Sequence, residues 1–300
     1  ERARGPFGAR DLPVFGFVPL GGTLFSDLLP PGYMDHDPST GFRDYACGSW
    51  TYDGHAGTDI GLRTFEEQAL GVPVLAAADG VVVYSHDGEP DMSTCLCGAP
   101  ANALIIDHGG DRYGWYWHMR TATVAAQVGD HVVAGQQLGL AGSSGNSAGP
   151  HLHFGVALPD GTPVDPFTGA CSPGASLWAD QPPLNTTTYT ADFGYMTDPP
   201  WNYPGYPYRL PNTGQMGFDQ FLWFWIQIVN LPANSTWRQH YLRPDGSEAF
   251  DSGPVAFNNP TFDRVSTYWF YHYYLNEMRT IAGTWRIRFE VNGQEIITAP

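Results

Sequence analysis

Apolar residues occur along this chain in short runs that end at Gly or Asp-Gly turn signals. From Val72 onward the stretches VPVLAAADGVVVYSHDG, NALIIDHGG, YGWYWHM and HLHFGVAL form a series of such short runs. Short Val, Ile, Tyr and Trp runs between tight turns predict antiparallel β-strands. A helical period is not sustained in any segment, so we expect a mainly β protein.

Changes in pattern divide the 300 residues into four parts. Residues 1–50 are irregular and predict an arm packed on the domain that follows. Residues 51–170 hold the first set of strands, and 171–214 are polar, proline-rich and typical of a linker. From residue 215 to 300, strands of about seven residues recur at intervals that predict a C-terminal immunoglobulin-like β-sandwich.

Charge and hydropathy narrow the classes of partner. Thirty acidic residues against 14 basic ones, all arginine, give a net charge of −16, which argues against nucleic acid. The longest apolar run, Phe221–Val229, is about half of a membrane span, so we expect a core strand and no membrane span. The first residues do not have the pattern of a signal peptide, and we expect that any such peptide has been removed.

Cysteine usage indicates an oxidising compartment. Cys47, Cys95, Cys97 and Cys171 lie in loop-like sequence and allow three pairings, among which the sequence does not choose. The CxC spacing of Cys95 and Cys97 brings two thiols awkwardly close for zinc chelation. We therefore expect two disulfides in a secreted, extracellular or periplasmic protein.

Two histidines with one residue between them stand in GPHLHFGV. Side chains at i and i+2 of a strand share a face, so His151 and His153 project together. A second stretch, YDGHAGTDIGL, holds His55 and Asp59 in a loop too rich in glycine for a helix. Two imidazoles and one carboxylate are ligands that a catalytic zinc accepts, with a fourth position open.

A further histidine ends the aromatic strand YGWYWHM. Alone, His118 would be interpreted as a strand-end histidine bonded to backbone, but beside the other two motifs it offers an imidazole to a metal-bound water. His36, His86, His108 and His131 lie next to Asp or Gly near predicted turns and receive no role.

The ordered set HxGxD, GVPVLAAADGVV, NALIIDHGG, YxHM, VGDxVxxGQQLGxxGxSG and GPHLHFGV resembles the lysostaphin-type zinc metalloendopeptidases, over about residues 50 to 165. The resemblance implies antiparallel sheets forming a groove with the metal on its floor. It also implies one Zn²⁺ per chain held by His55, Asp59 and His153, catalytic imidazoles at His118 and His151, and a groove-lining role for Asn102.

What the resemblance implies for activity is a secreted endopeptidase that hydrolyses peptide bonds in peptidoglycan cross-links or bridges by a zinc-activated water. Two alternatives stay open: an extracellular protease on glycine-rich proteins such as elastin, and a non-catalytic wall-binding or activator protein on the same fold. The C-terminal sandwich could also act as an adhesion or carbohydrate module. We expect a monomer.

Overall fold

The computed structural model describes residues 12–29, 32–213, 217, 221–257, 264–272 and 276–300, with backbone alone at 264–272, 276 and 279. The chain forms two compact units, Glu1–Asn185 and Thr186–Pro300. Within the described ranges, helices long and apolar enough to cross a membrane are absent.

Antiparallel strands build the first unit. They are β1 Thr58–Gly61, β2 Pro73–Leu75, β3 Gly80–His86, β4 Ala103–Asp107, β5 Tyr113–Trp117, β6 His131–Val132, β7 Gln137–Leu140 and β8 His151–Ala157. Six of them form one sheet in the order β1-β8-β5-β4-β3-β6, and β2 pairs with β7. The expectation of a mainly β, antiparallel fold is confirmed for this unit.

Alternation along β8 separates the core from the face that carries the histidines. Leu152 and Phe154 are fully buried, as expected for side chains on the core face. His153 points to the opposite face, where the register pairs it with Asp59 of β1 and Trp117 of β5. One face of the sheet therefore gathers residues from three neighbouring strands beside His153.

One short helix, α1 Phe65–Leu70, differs from the expectation of a chain without helices. Thr64 caps it by accepting a hydrogen bond from the Glu67 N–H, and Gly71 ends it in the left-handed conformation with φ 88°. Six residues are fewer than two turns, too few to produce a recognisable 3.6-residue period.

Two disulfides are present, as expected from the cysteine count. Cys47 pairs with Cys171, and Cys95 pairs with Cys97. The first bond joins the N-terminal arm to the end of the first unit across a separation of 124 residues.

The second unit is also β. Its strands are β9 Tyr189–Met196, β10 Trp223–Leu231, β11 Thr236–Leu242, β12 Glu248–Asp251, β13 Val255–Ala256, β14 Arg264–His272, β15 Arg286–Val291 and β16 Gln294–Ala299, with 3₁₀ turns at Pro200–Asn202 and Asn276–Arg279. One sheet has the order β14-β10-β9, and the other has the order β12-β11-β15-β16 with β13 beside β11. Phe224 and Ile226 share a buried cluster with Trp237, Tyr241 and Phe289 of the other sheet.

An immunoglobulin-like topology for this unit stays a prediction, as do the four domain boundaries. One difference in secondary structure falls inside the predicted linker, because β9 pairs with β10. The sequence YTADFGYM is mostly polar or aromatic, and only Gly194 and Met196 of the strand are buried. Polar and apolar residues alternate only weakly in this segment, which is surrounded by prolines. The sequence pattern therefore did not indicate a strand.

Candidate active site

The described structure brings three potential metal donors together. His55 Nε2 lies 3.2 Å from Asp59 Oδ1, and His153 Nδ1 lies 2.8 Å from the same oxygen. The two ring nitrogens are 3.4 Å apart. His55 immediately precedes β1, Asp59 lies within β1, and His153 lies in β8 opposite Asp59. Pairing of these strands therefore creates the cluster.

These distances suit a zinc ion. Donors at about 2.0–2.1 Å in a tetrahedral arrangement lie about 3.3 Å from one another. Two of the three separations are near that value, and the third is shorter. Imidazole nitrogen and carboxylate oxygen are donors that zinc accepts, and three of them leave a fourth position for water or substrate.

The tautomers of three imidazoles follow from their hydrogen bonds. In each ring Nδ1 lies next to a backbone carbonyl, which can only accept, so Nδ1 carries the hydrogen and Nε2 keeps its lone pair. The pairs are His55 with the Tyr33 carbonyl at 2.6 Å, His118 with the Ser144 carbonyl at 2.7 Å, and His151 with the Gly149 carbonyl at 2.9 Å.

His118 and His151 lie beside the donor cluster. Their rings are 4.5 Å apart, and His151 Nε2 is 3.6 Å from Asp59 Oδ1. His118 follows directly after β5 with φ 66°, a left-handed conformation that non-glycine residues rarely adopt. This turn out of the strand brings its ring to the ring of His151, where regular alternation would have pointed it to the other face of the sheet.

Electrostatics distinguish Asp59 from His118. Burial raises the pKa of the Asp59 carboxyl, but the neighbouring imidazoles of His151, His153 and His55 outweigh burial and hold that pKa well below its usual range. Burial, with help from the charge of His151, lowers the pKa of His118 to about 3. The site therefore holds an ionised carboxylate next to a neutral imidazole at physiological pH.

Aromatic rings flank the donors, and sequence reasoning assigned them no role. Tyr52 stacks on His55 with centroids 4.3 Å apart, and its hydroxyl donates to Asp59 Oδ2 at 3.3 Å. Trp117 stacks on His153 at 5.6 Å. Both neighbours are visible only once register and turn geometry are known, although the position of Trp117 on the strand before His118 was a usable signal.

Asn102 requires a correction. The resemblance implied a groove-lining role, but the side chain is fully buried. Its Oδ1 accepts from the Glu89 N–H at 2.7 Å, and its Nδ2 donates to the Glu89 and Met119 carbonyls at 2.9 and 3.0 Å. The amide thus clamps the residue that follows His118 and offers no accessible atom to a substrate.

A second His/Asp/Glu group occurs in the other unit. His240, Glu248 and Asp251 have donor atoms close enough for a metal. Arg238 pairs with Asp251, however, and Arg288 lies 3.5 Å from Glu248. Cations already neutralise these carboxylates, so the group is a salt-bridge network.

Comparison with known proteins gives a family match for the segment that holds His55, Asp59 and His153. Residues 53–166 match the model of peptidase family M23. The peptidoglycan DD-endopeptidase ShyA of Vibrio cholerae is 31% identical over 37% of this chain and 22% of its own length. The glycyl-glycine endopeptidase ALE-1 of Staphylococcus capitis is 31% identical over 37% of this chain and 28% of its own length. The chain thus spans less than a third of either relative.

Among solved structures, the catalytic domain of the antimicrobial peptidase lysostaphin from Staphylococcus simulans is 26% identical, with 46% of this chain and 89% of that chain covered and a TM-score of 0.31. The matched segment 53–166 holds all five residues of the cluster, His55, Asp59, His118, His151 and His153. The resemblance drawn from the motifs is confirmed for this segment: residues 53–166 match peptidase family M23, and the relatives similar to them include the lysostaphin-type endopeptidases.

Proposed function

We propose that the first unit is a zinc-dependent endopeptidase that hydrolyses peptide bonds in peptidoglycan cross-links or bridges, outside the cytoplasm. The observation that carries the proposal is the convergence of His55, Asp59 and His153 next to two further imidazoles. The non-catalytic alternative would be expected to have lost part of this donor set, and the chain retains all of it.

His55, Asp59 and His153 would hold the metal through Nε2, a carboxylate oxygen and Nδ1. A zinc ion supplies Lewis acidity toward the scissile carbonyl and makes water a nucleophile near neutral pH. Asp59 brings negative charge because its pKa is held low by the surrounding imidazoles after burial is overcome. That charge favours a cation among the three donors.

The two further histidines would move the protons. His118 is neutral, because burial lowers its pKa, and its Nε2 lone pair is left free by the Nδ1 bond to Ser144. It therefore suits the role of general base that orients the attacking water and takes its proton. His151, near the Asp59 carboxylate, would stabilise the oxyanion or protonate the leaving amine. The reverse assignment of these two roles is the alternative.

Single His118→Ala and His151→Ala variants test the assignment. We expect each to keep about one zinc per chain, because neither residue is among the three donors, and to lose roughly 100-fold or more in turnover. Zinc content by mass spectrometry and kcat on a peptide substrate are the measurements. Variants that retained both zinc and full activity would contradict these roles.

The names of the two relatives specify different peptide bonds: ShyA is a DD-endopeptidase, and ALE-1 is a glycyl-glycine endopeptidase. Digestion of two purified peptidoglycans, one with direct stem-peptide cross-links and one with glycine bridges, followed by mass analysis of the fragments, identifies the bond cut by this chain. Elastin is included as a glycine-rich protein. If elastin were cleaved and neither peptidoglycan were, the substrate would be a glycine-rich protein and not peptidoglycan.

A further inference from the structure

An N-terminal segment outside the family-matched residues contacts the loop that carries the first donors. Within the predicted N-terminal arm of residues 1–50, the contacts come from residues 32–50, and from here on 'the arm' means these residues. All of them precede residue 53, where the family match begins. Gly32 and Asp59 exchange both backbone hydrogen bonds, at 3.0 and 2.8 Å, and the Asp35 N–H donates to the His55 carbonyl at 2.8 Å. The arm therefore runs along the free edge of β1 beside two of the three donors.

The arm also determines which nitrogen of His55 faces the cluster. The Tyr33 carbonyl accepts from His55 Nδ1 at 2.6 Å, which leaves the Nε2 lone pair toward Asp59 and His153. Tyr33 and His55 are 1% and 3% exposed, so water has little access to replace the carbonyl. A partner of this kind sets both ring orientation and basicity of a metal ligand.

Asp35 joins the arm to the turn before His55. Its Oδ2 accepts from the Gly54 N–H at 2.9 Å. Its Oδ1 accepts from the N–H groups of Asp37 at 2.9 Å and Arg43 at 3.0 Å. One carboxylate thus holds the turn at Gly54 and a loop within the arm in a single arrangement.

Contacts with the far end of the first unit fix the arm in place. Cys47 is bonded to Cys171, and His36 Nε2 lies 2.7 Å from Asp165 Oδ2. The Tyr33 ring packs edge-to-face on Phe167 with centroids 5.0 Å apart. These anchors do not involve the metal donors, so the arm can act as a rigid reference for His55.

We propose that the arm is a positioning element of the metal centre, and that Asp35 is the positioning side chain through which it holds His55 in the geometry that binds zinc. The inference rests on the proposed function, since it concerns the affinity of the same three donors for zinc. It adds a segment that lies outside the matched family residues to the machinery of the site.

Asp35→Asn tests the proposal, with Asp37→Asn as the matched control. An asparagine amide cannot accept from every N–H group that Asp35 now accepts from, and its NH₂ would oppose a backbone donor such as that of Gly54. Asp37 bonds Ser39 and does not contact the turn at Gly54 through its side chain. We expect Asp35→Asn to weaken zinc binding about 10- to 100-fold and Asp37→Asn to leave it unchanged.

The readout is the apparent zinc Kd from competition with a chromophoric chelator, measured on the full chain, with circular dichroism of the metal-free protein as a check of fold. A merely structural role of Asp35 would alter the dichroism or thermal transition of the metal-free protein without a selective loss of zinc affinity.

A second pair of variants decides the matter if Asp35→Asn does not fold. Cys47→Ser with Cys171→Ser frees the arm and should also weaken zinc binding, whereas Cys95→Ser with Cys97→Ser removes a disulfide that does not hold the arm. Wild-type affinity in a folded Asp35→Asn variant, or in the Cys47/Cys171 variant where Asp35→Asn does not fold, would overturn this inference alone. Failure of the wild type to bind zinc would overturn the proposed function together with it.

Discussion

Gly57, midway between His55 and Asp59, offers a sharp test of the proposed metal centre. A Cβ at this position would lie 2.6 Å from His153 Nε2, 2.7 Å from its Cε1 and 3.0 Å from the Phe154 carbonyl oxygen. Ordinary contact begins near 3.4 Å. The Gly57→Ala variant must therefore move the His153 ring or the loop by about 0.8 Å.

Neither the His153 ring nor the loop at Gly57 can move freely. His153 lies in β8, which pairs with β1 on one side and β5 on the other, and Trp117 stacks on its ring. Metal–ligand distances tolerate only about 0.2 Å. We expect zinc affinity to fall about 100-fold or more, which corresponds to about 2.7 kcal/mol.

Gly155→Ala is the matched control, because the added Cβ would approach the same His153 nitrogen only to 3.7 Å and its other neighbours to 3.6 Å. Neither glycine has a positive φ, so the comparison isolates the steric effect. Zinc Kd by chelator competition and circular dichroism are measured for both. Wild-type zinc affinity in Gly57→Ala, or equal losses in the two variants, would refute the reasoning.

Three further predictions follow from the buried groups and the division into units. Asn102→Ala should lower the free energy of unfolding by about 2 kcal/mol, because the Glu89 N–H would lose its side-chain acceptor and the Glu89 and Met119 carbonyls would each lose one of their donors; unchanged stability in urea with a raised KM would instead support contact with substrate. Burial lowers the pKa of His118 to about 3 in the folded protein, against about 6.5 in the unfolded chain. Between these two pH values the unfolded chain binds more protons than the folded protein, so the free energy of unfolding falls as the pH falls. His118→Gln should therefore reduce the acid-side loss of stability of the metal-free protein in urea titrations at pH 7 and 5, and identical pH slopes would contradict this. Removal of residues 186–300 should leave turnover of a soluble peptide intact but lower activity on whole cell walls, and equal activity on walls would argue against a targeting role for that unit.

The motifs predicted the donors because strand spacing and a short loop determine their placement. His151 and His153 share a face of β8 as any i, i+2 pair does, and Asp59 lies opposite His153 through ordinary antiparallel pairing. A family resemblance then chose His153 over His151 as the proposed ligand. Local pattern and the family resemblance together therefore predicted the central cluster.

Backbone interactions between distant segments could not be predicted in the same way. The Tyr33 carbonyl orients His55 from 22 residues away, and a carbonyl leaves no signature in side-chain identity. The groove-lining role of Asn102 was carried over from the family resemblance, which does not reveal that three internal hydrogen bonds permit burial of its side chain here. Cysteine pairing was equally invisible, since proximity of Cys47 and Cys171 depends on the whole first unit.

The measurement that tests the central claim most directly is zinc content together with mass-resolved digestion of purified peptidoglycan, for the wild type and for His153→Ala. The account predicts about one zinc per chain and zinc-dependent peptide fragments for the wild type, with both lost in the variant. A wild type that lacks zinc, or that cleaves peptidoglycan equally well after His153→Ala, would contradict it.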